Sequence, residues 1–264
     1  MGFHRVGGQL LHYRLAGRDG APRLVLVNSL GTDARIWDEV IALLEPRYQI
    51  LSFDKRGHGL SDAPPAPYTL ADHVGDIEGL TDHIGWQRFA LAGVSVGGLI
   101  AQGFALAHPE RLAALVLLDT AARIGDDASW DARISAVQDG GMAAIIDMVM
   151  QRWFTKDYFA TRTDDAAGWR HLLARTPADG YIGTCTTLRD TDLRDAVSTI
   201  TLRTLVAVGA EDLSTTPELV RETADRLPDA RFETIKGAGH LPCLDQPQAL
   251  AALMQDYFNE VCFV

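Results

Sequence analysis

One serine in this chain lies in a pattern that could make it a nucleophile. Ser95 is the centre of GVSVG, residues 93–97, which fits G-x-S-x-G with an apolar run on each side. A strand-like segment precedes the motif and a helix-like segment follows it, as a strained strand-to-helix turn requires. Gly93 and Gly97 would make room for the bend, and Gly98 would let the helix pack close to the sheet. The alternative is a glycine-rich turn that contains a serine by chance.

A serine hydroxyl is a poor nucleophile at neutral pH, so it needs a base, and the base needs an acid to orient it. After this kind of turn the chain order is serine, acid, histidine. The acid is expected after a late strand, where GAED, residues 209–212, offers Asp212. Glu211 is interpreted as a solvated neighbour, and Asp119, at another strand end, is the runner-up. His240, in GAGHLP, is the one histidine of eight beyond this segment and is the predicted base.

A tetrahedral oxyanion would also need two backbone N–H donors. One is predicted to be the amide of Val96, which follows the nucleophile. The other is expected in the loop after the strand LVLVN, where the position of Leu30 in NSLG makes its amide the second donor. The segment DKRGHGLSD, residues 54–62, is interpreted as a shaped turn with an internally paired arginine. A direct catalytic role is not assigned to its histidine, His58, which precedes Ser95 in the chain.

The elements that must position these residues alternate along the chain. Six apolar, β-rich runs are predicted strands, namely residues 24–28, 49–54, 89–93, 113–119, 202–209 and 230–235. Helical patterns lie between them at 36–45, 69–84 and 95–112, the last closed by His108-Pro109, and a final helix is expected over about 247–261. An antiparallel strand pair is expected near the start. The pattern predicts an α/β fold, with a mostly parallel central sheet and helices on both faces.

The alternation stops between residues 122 and 199, where helix-like segments occur and no convincing strand is found. The helix-like segments include SWDARISAVQ, MAAIIDMVMQRWF and AAGWRHLLART. We therefore expect a core of residues 1–121 and 200–264 and a helical cap insertion of residues 122–199 over the strand ends. A helical subdomain with a packing role alone is the alternative.

Composition narrows the class of protein. The 264 residues carry a formal net charge of −11, are 47% hydrophobic and contain no block of Lys or Arg. Nucleic-acid binding and attachment to an anionic membrane are therefore not expected. No apolar stretch is long enough to span a bilayer, and the first ten residues have no signal-peptide core. Cys185, Cys243 and Cys262 have no metal-ligand spacing and are interpreted as reduced structural thiols of a cytoplasmic protein.

Four segments together resemble the α/β-hydrolase superfamily over nearly the whole chain. They are VNSLGTDARIW, SFDKRGHGLSD, GVSVGGLIAQGFA and GAGHLPCLDQP. More narrowly, NSLGTD, the order Ser-Val-Gly-Gly, LLDTAARIG and QRWFT resemble 3-oxoadipate enol-lactonases, which act in the β-ketoadipate pathway of aromatic degradation. The resemblance implies hydrolysis of a small enol-lactone through an acyl-enzyme on Ser95, with Asp212 and His240 completing the triad and with neither a metal nor a cofactor.

That substrate carries a carboxylate, which an acidic protein must hold with local positive charge. Arg133 beside Trp153 is the hypothesised clamp, with Arg152 as the alternate. Other cap residues considered are Arg123, Arg162 and Trp130. The oligomeric state stays open. So do related activities on the same scaffold, namely a carboxylesterase, a C–C hydrolase of ring-cleavage products and a cofactor-free perhydrolase, and a ligand sensor with a vestigial triad.

Overall fold

A computed structural model describes residues 1–263 of the chain. Eight strands form one sheet in the order β1-β2-β4-β3-β5-β6-β7-β8. Their bounds are β1 Gly2–Val6, β2 Gln9–Ala16, β3 Arg23–Val27, β4 Gln49–Phe53, β5 Phe89–Val94, β6 Leu112–Leu118, β7 Thr204–Gly209 and β8 Ala230–Ile235. β2 pairs antiparallel with β1 and with β4, and every other neighbouring pair is parallel. The predicted mostly parallel sheet and its opening antiparallel pair are confirmed.

Helices cover the sheet on both faces, as the burial of its central strands requires. Every residue of β5 and β7 is buried, which needs apolar cover above and below. The covering helices are α1 Asp38–Leu44, α2 Leu70–His83, α3 Val96–Ala107, α9 Pro217–Arg226, α10 Pro242–Asp245 and α11 Pro247–Glu260. α1 packs against α11, while α2 packs against α3. α3 ends at Ala107, before His108-Pro109, as predicted.

Three strands end one residue earlier than their apolar runs predict, and this matters for the site. β3, β4 and β6 end at Val27, Phe53 and Leu118. The polar residues Asn28, Asp54 and Asp119 therefore lie just beyond the ladder, at the carboxyl edge of the sheet. Ligands of open α/β sheets bind at this edge, outside the carboxyl ends of the strands.

The segment between β6 and β7 is helical in all of its regular structure. Its helices are α4 Asp127–Gly140, α5 Ile146–Trp153, α6 Lys156–Thr161, α7 Thr163–Ala174 and α8 Ala178–Asp190, with 3-10 turns at Met142–Ala144 and Ala196–Thr199. The predicted helix MAAIIDMVMQRWF is in fact a 3-10 turn followed by α5. α6 and α8 were not predicted. α8 contains two glycines and three threonines, which disfavour an isolated helix.

Packing against the core explains why α8 forms. A Cβ built on Gly180 would lie 2.4 Å from the Cα of Gly57, so the two backbones touch. Thr186 and Thr187 donate hydrogen bonds to the carbonyl of Tyr68 at 3.2 and 3.0 Å. These long-range contacts override the weak helix propensity of the segment. They also fix α8 to the turn that follows β4.

No helix within residues 1–263 is long and apolar enough to cross a membrane.

Candidate active site

Ser95 lies at a strained turn between β5 and α3. Its backbone has φ 60° and ψ −123°, a conformation that residues other than glycine rarely adopt. A Cβ on Gly93 would stand 2.1 Å from the carbonyl oxygen of Gly97, across the bend. One on Gly97 would stand 2.4 Å from the carbonyl oxygen of Val27, and one on Gly98 would meet the side chain of Thr120. The predicted need for small residues around Ser95 is therefore confirmed.

Two hydrogen bonds to the backbone of Ser95 hold this turn in place. The Ser95 amide donates to the Leu118 carbonyl at 2.9 Å, and the Thr120 hydroxyl donates to the Ser95 carbonyl at 2.7 Å. Both partners lie at the end of β6, so the neighbouring strand holds the serine in its strained form. The Ser95 side chain lines a cavity that His240 also lines.

His240 is held by a buried carboxylate. Its Nδ1 lies 2.8 Å from Oδ2 of Asp212, and both side chains are almost wholly excluded from solvent. Asp212 also accepts the hydroxyl of Thr215 at 2.7 Å and the amide of Ser214 at 2.7 Å. Burial favours the neutral acid, but the charge of His240 and these hydrogen bonds outweigh it, so the pKa of Asp212 lies below its usual range. The carboxylate is therefore ionised at neutral pH.

The three candidate acids differ in their exposure and in their contacts with His240. Glu211 is exposed, and Asp212 is the residue hydrogen-bonded to His240. Asp119, the runner-up, is also close, because its carboxyl oxygen, an oxygen of Asp212 and a ring nitrogen of His240 all lie within 4.8 Å of one another. Burial and the charge of Asp212 raise the pKa of Asp119 well above its usual range. Of the two buried carboxyls, Asp119 is thus the one that is harder to ionise.

Two contacts fix the backbone around His240. The His240 amide donates to the carbonyl of Trp153, the last residue of α5, at 3.0 Å. The Gly239 amide donates to Oδ2 of Asp245 at 2.7 Å. The loop that carries Gly239 and His240, the histidine loop, is thereby bound both to the inserted helices and to α10. Trp153 was predicted as a cavity wall, and the role of its carbonyl was not foreseen.

The two amides predicted to bind an oxyanion are free of other acceptors. Within residues 1–263, neither the Leu30 N–H nor the Val96 N–H donates a hydrogen bond. Val96 begins α3, where the first amides of a helix have no intrahelical acceptor. Leu30 lines the cavity together with Ser95. The Leu30 amide therefore lies at the cavity, and neither amide has a protein acceptor that would compete with a charged oxygen.

The turn at residues 54–62 forms hydrogen bonds with the loop around Leu30. This role was not predicted from the sequence. Nζ of the buried Lys55 donates to the carbonyl of Ser29 at 2.6 Å. The amide of Gly31 donates to Nε2 of His58 at 3.0 Å. Both residues that flank Leu30 are thus pinned. Only the clustering of Lys and His after β4 hinted at this role, since the contacts span more than twenty residues.

The arginine of that turn is paired, although not internally as predicted. Arg56 binds both carboxylate oxygens of Asp76 at 2.7 Å and lies 3.0 Å from Asp72, and both acids belong to α2. Its planar guanidinium matches such a bidentate partner. The ion pair therefore joins the turn to α2 rather than stabilising the turn alone.

A cavity of about 510 Å³ opens above Ser95. The core contributes Ser29, Leu30, Ser95, Ser214 and His240, and the inserted helices contribute most of the remaining lining, including Trp130, Arg133, Arg152, Trp153 and Tyr181. No Asp or Glu is among the lining residues described, although the chain has 35 acidic residues. The cavity is therefore a locally cationic compartment in an acidic protein.

Arg133 and Arg152 supply that positive charge. Within residues 1–263 neither makes an ion pair. Arg133 is half-buried, donates to the hydroxyl of Tyr181 at 3.0 Å and lies over the ring of Trp130. Arg152 is exposed at the cavity edge. Arg133 is consequently the better placed of the two, with Trp153 buried in the same wall.

The other two cap arginines considered from the sequence are paired with acids. Arg123 pairs with Asp127 and Asp192, and Arg162 pairs with Glu39 and Asp165. Arg162 lines a different, larger cavity of about 720 Å³ that contains neither Ser95 nor His240. Several charged side chains of that second cavity pair with one another. Its lining, within the described residues, includes a histidine but no serine or cysteine, so the smaller cavity, which combines Ser95 with His240, is the candidate active site.

Comparison with known proteins identifies the family of this chain. A family model described as the alpha/beta hydrolase family matches residues 24–253, most of the chain. The chain belongs to the alpha/beta hydrolase family. The strained serine turn, the sheet topology and the positions of Asp212 and His240 after β7 and β8 are consistent with this membership.

Individual relatives of this hydrolase include enol-lactonases and an esterase. A 3-oxoadipate enol-lactonase of Acinetobacter baylyi is 32% identical over 239 residues, covering 90% of this chain and 89% of the relative. The solved enol-lactonase of Burkholderia xenovorans LB400 is 35% identical, with a TM-score of 0.95 and coverage of 98% and 100%. A thermophilic esterase of Thermogutta terrifontis with malate bound is 25% identical, with a TM-score of 0.93 and 99% coverage of both chains.

Proposed function

We propose that this hydrolase opens 3-oxoadipate enol-lactone to 3-oxoadipate, a step of aromatic catabolism, through an acyl-enzyme on Ser95. The observation that carries the proposal is the cavity itself. It combines Ser95 and His240 with two arginines that have no acidic partner within residues 1–263, in a protein of net charge −11. A neutral substrate would not need this local charge. The enol-lactonase relatives support the same substrate class.

In the acylation step, His240 takes the Ser95 proton as the hydroxyl oxygen attacks the lactone carbonyl. The Asp212 carboxylate stabilises the resulting imidazolium across the 2.8 Å hydrogen bond. The Leu30 and Val96 amides hold the oxyanion, and each such donor is worth on the order of 10² to 10³ in rate. The ring C–O bond then breaks, and His240 returns the proton to the leaving enol oxygen.

The leaving group makes ring opening one-directional. It stays attached to the acyl chain as an enol, which relaxes to the ketone and can no longer attack the acyl-enzyme. Water, deprotonated by the same histidine, then releases the acid and restores the Ser95 hydroxyl. Every step uses protein groups and water, so the proposed reaction calls for no metal and no cofactor.

Arg133 is the proposed partner of the substrate carboxylate, with Trp153 as an apolar wall. A guanidinium binds a carboxylate through two parallel hydrogen bonds, and the Tyr181 hydroxyl orients this one. Residues 122–199 are the proposed cap over the core of residues 1–121 and 200–264, because their helices close the cavity. Free Cys185, Cys243 and Cys262 fit a reducing cytoplasm, where we place the reaction.

A carboxylesterase is the second candidate, and the likeness to a malate-bound esterase favours it. The purified protein should be assayed against the acidic enol-lactone, p-nitrophenyl acetate and a vinylogous diketone. We expect kcat/KM to be highest for the lactone. A higher value for the acetate would favour the esterase, and a higher value for the diketone a C–C hydrolase. One slow acylation per molecule on every substrate would indicate a ligand sensor.

A further inference from the structure

Asp119 is a buried acid that the proposed mechanism does not use. It follows β6, has no solvent exposure and has a φ of +46°, which non-glycine residues rarely adopt. Its Oδ1 accepts the amide of Gly209 at 2.8 Å. Its Oδ2 is buried without a hydrogen-bond donor among residues 1–263. A buried carboxyl oxygen without a donor costs free energy unless it carries a proton or faces a charged partner.

Asp119 lies next to the proposed triad, which can supply the partner that its carboxyl lacks. Asp119, Asp212 and His240 bring two carboxyl oxygens and a ring nitrogen within 4.8 Å of one another. Two carboxylates this close and this deeply buried cannot both be ionised. Asp212 keeps the charge because His240, Thr215 and Ser214 donate to it. Asp119 is therefore the acid of the pair on which a shared proton is expected.

We propose that Asp119 is a positioning residue that shares one proton with Asp212 and serves as a reserve acid for His240. In the native protein its protonated carboxyl faces Asp212 and steadies the carboxylate that holds the base. If Asp212 becomes neutral, Asp119 releases its proton to solvent and supplies the negative charge. The pair thus carries one negative charge in both cases. This inference rests on the proposed function, in which His240 is the base.

The surroundings of Asp119 favour this exchange. Asp212 approaches from the loop after β7 and His240 from the loop after β8. Asp245 and the buried thiol of Cys243 act on it electrostatically from α10. Burial raises the pKa of Asp119 most, and the charge of Asp212 is the largest contribution from a neighbouring group. Replacing that charge by an amide removes this second contribution and makes Asp119 easier to ionise.

The kinetic test compares Asp212→Asn with the double variant Asp212→Asn, Asp119→Asn. In a triad without a second acid, an Asp-to-Asn change costs about 10⁴ in kcat. We expect Asp212→Asn to lose only about 10², and the double variant to lose at least tenfold more. Asp119→Asn alone should lower kcat less than tenfold, because an amide N–H replaces the shared proton. Equal kcat values for Asp212→Asn and the double variant would overturn the proposal.

Glu211 provides the matched control, since it is adjacent in sequence but exposed. Adding Glu211→Gln to Asp212→Asn should leave kcat at the value of Asp212→Asn. An equal loss from Glu211→Gln and Asp119→Asn would show a general charge effect and contradict the proposal. Activity that survives Ser95→Ala would instead refute the proposed function, whatever the behaviour of Asp119.

Proton NMR tests the proposal without a substrate and without the double variant. The proton between His240 Nδ1 and a carboxylate should give a far-downfield proton NMR signal in the native protein. We expect the signal to persist, shifted, in Asp212→Asn at a pH where His240 is protonated, because Asp119 becomes the acceptor. Its loss in a folded Asp212→Asn protein, checked by thermal unfolding, would overturn the reserve-acid role.

Discussion

At the residue scale, the site depends on a hydroxyl held in a strained turn and on an imidazole held by a buried carboxylate. Ser95 has φ 60° because β6 and three glycines leave its backbone no alternative. His240 is oriented through Nδ1 by Asp212, so its Nε2 is left for the serine or the substrate. Nucleophile and base therefore act as a unit, and removing either should be about as damaging as removing both.

Replacing Ser95 by alanine removes the nucleophile without removing a packing contact of the core. We expect kcat to fall by at least about 10⁴, because only the oxyanion amides and substrate binding would remain. Thermal unfolding should show a folded protein. His240→Asn should be nearly as inactive. A Ser95→Ala protein with native kcat would mean that another group attacks the substrate.

Replacing Arg133 by methionine removes the proposed carboxylate partner but retains an apolar side chain. We expect KM for the acidic lactone to rise by about tenfold or more, since hydrogen bonds to charged groups are worth about 1.5–3 kcal/mol. KM for a neutral ester should change little. Arg170→Met, which removes an exposed arginine paired with Asp147, is the matched control. An unchanged KM in Arg133→Met, with a raised KM in Arg152→Met, would transfer the role to Arg152.

Residue types and chain order were enough to predict the contact between Asp212 and His240. Asp212 and His240 are 28 positions apart, and the order serine, acid, histidine selected His240 from eight histidines. Their hydrogen bond is observed. Lys55 was missed because its contact with Ser29 crosses 26 positions and involves a carbonyl, which no side-chain pattern reveals.

At the element scale, the loop after β3 and the turn after β4 form one structural unit. Gly31 has φ +75°, and a Cβ there would lie 2.7 Å from Leu173 of α7. Lys55 and His58 hold the loop on either side of Leu30. Burial lowers the pKa of Lys55 well below its usual range, opposed by the charges of Asp54 and Asp33. The geometry of the Leu30 amide therefore depends on residues that do not touch the substrate.

Replacing His58 by leucine should expose that dependence. The Gly31 amide would lose its acceptor, and a buried unpaired amide costs about 1–3 kcal/mol. We expect the melting temperature to fall and kcat to drop by about ten- to a hundredfold, with a smaller change in KM. His171→Leu, on the exposed surface of α7, is the control. A lower melting temperature with native kcat would show that His58 stabilises the fold without determining the geometry of the loop around Leu30.

Apolar periodicity predicted the strands and the helices that cover the sheet, because their burial follows directly from hydrophobic pattern. It failed for α8, where Gly180 and Gly183 weaken the helical signal. There the deciding interactions are the contact of Gly180 with Gly57 and that of Gly183 with Tyr68. Such contacts depend on the assembled core and are not visible in a local window of sequence.

At the scale of the whole molecule, the distribution of charge matters more than its total. A net charge of −11 repels an anion at long range, but this repulsion is screened over about 8 Å at physiological ionic strength. Among the described residues that line the 510 Å³ cavity, the charged side chains without an acidic partner are arginines. An acidic substrate is therefore favoured only once it enters, and its on-rate should increase with added salt.

The histidine loop also links stability to pH through Asp245. Burial, aided by the charge of Glu211, raises the pKa of Asp245 from 3.8 to about 7 against the opposing hydrogen bond from Gly239. Between these values the folded protein holds a proton that the unfolded chain releases, so this residue lowers stability as pH rises to about 7. Asp245→Asn should therefore gain in melting temperature over the native protein from pH 5 to pH 7.5. The exposed Asp139→Asn is the control, and an equal difference at both pH values would contradict the linkage.

The most direct test of the account is the ratio of kcat/KM for the acidic enol-lactone to that for its neutral methyl ester, measured on the native protein. Both compounds present the same lactone to Ser95, so the ratio isolates the carboxylate. We predict a kcat/KM for the acid within the ordinary enzymatic range of about 10⁴–10⁸ M⁻¹s⁻¹. It should exceed the value for the ester at least about tenfold, as expected for one charged hydrogen-bonded contact. Lactone loss no faster than the uncatalysed reaction, or a preference for the ester, would contradict the account.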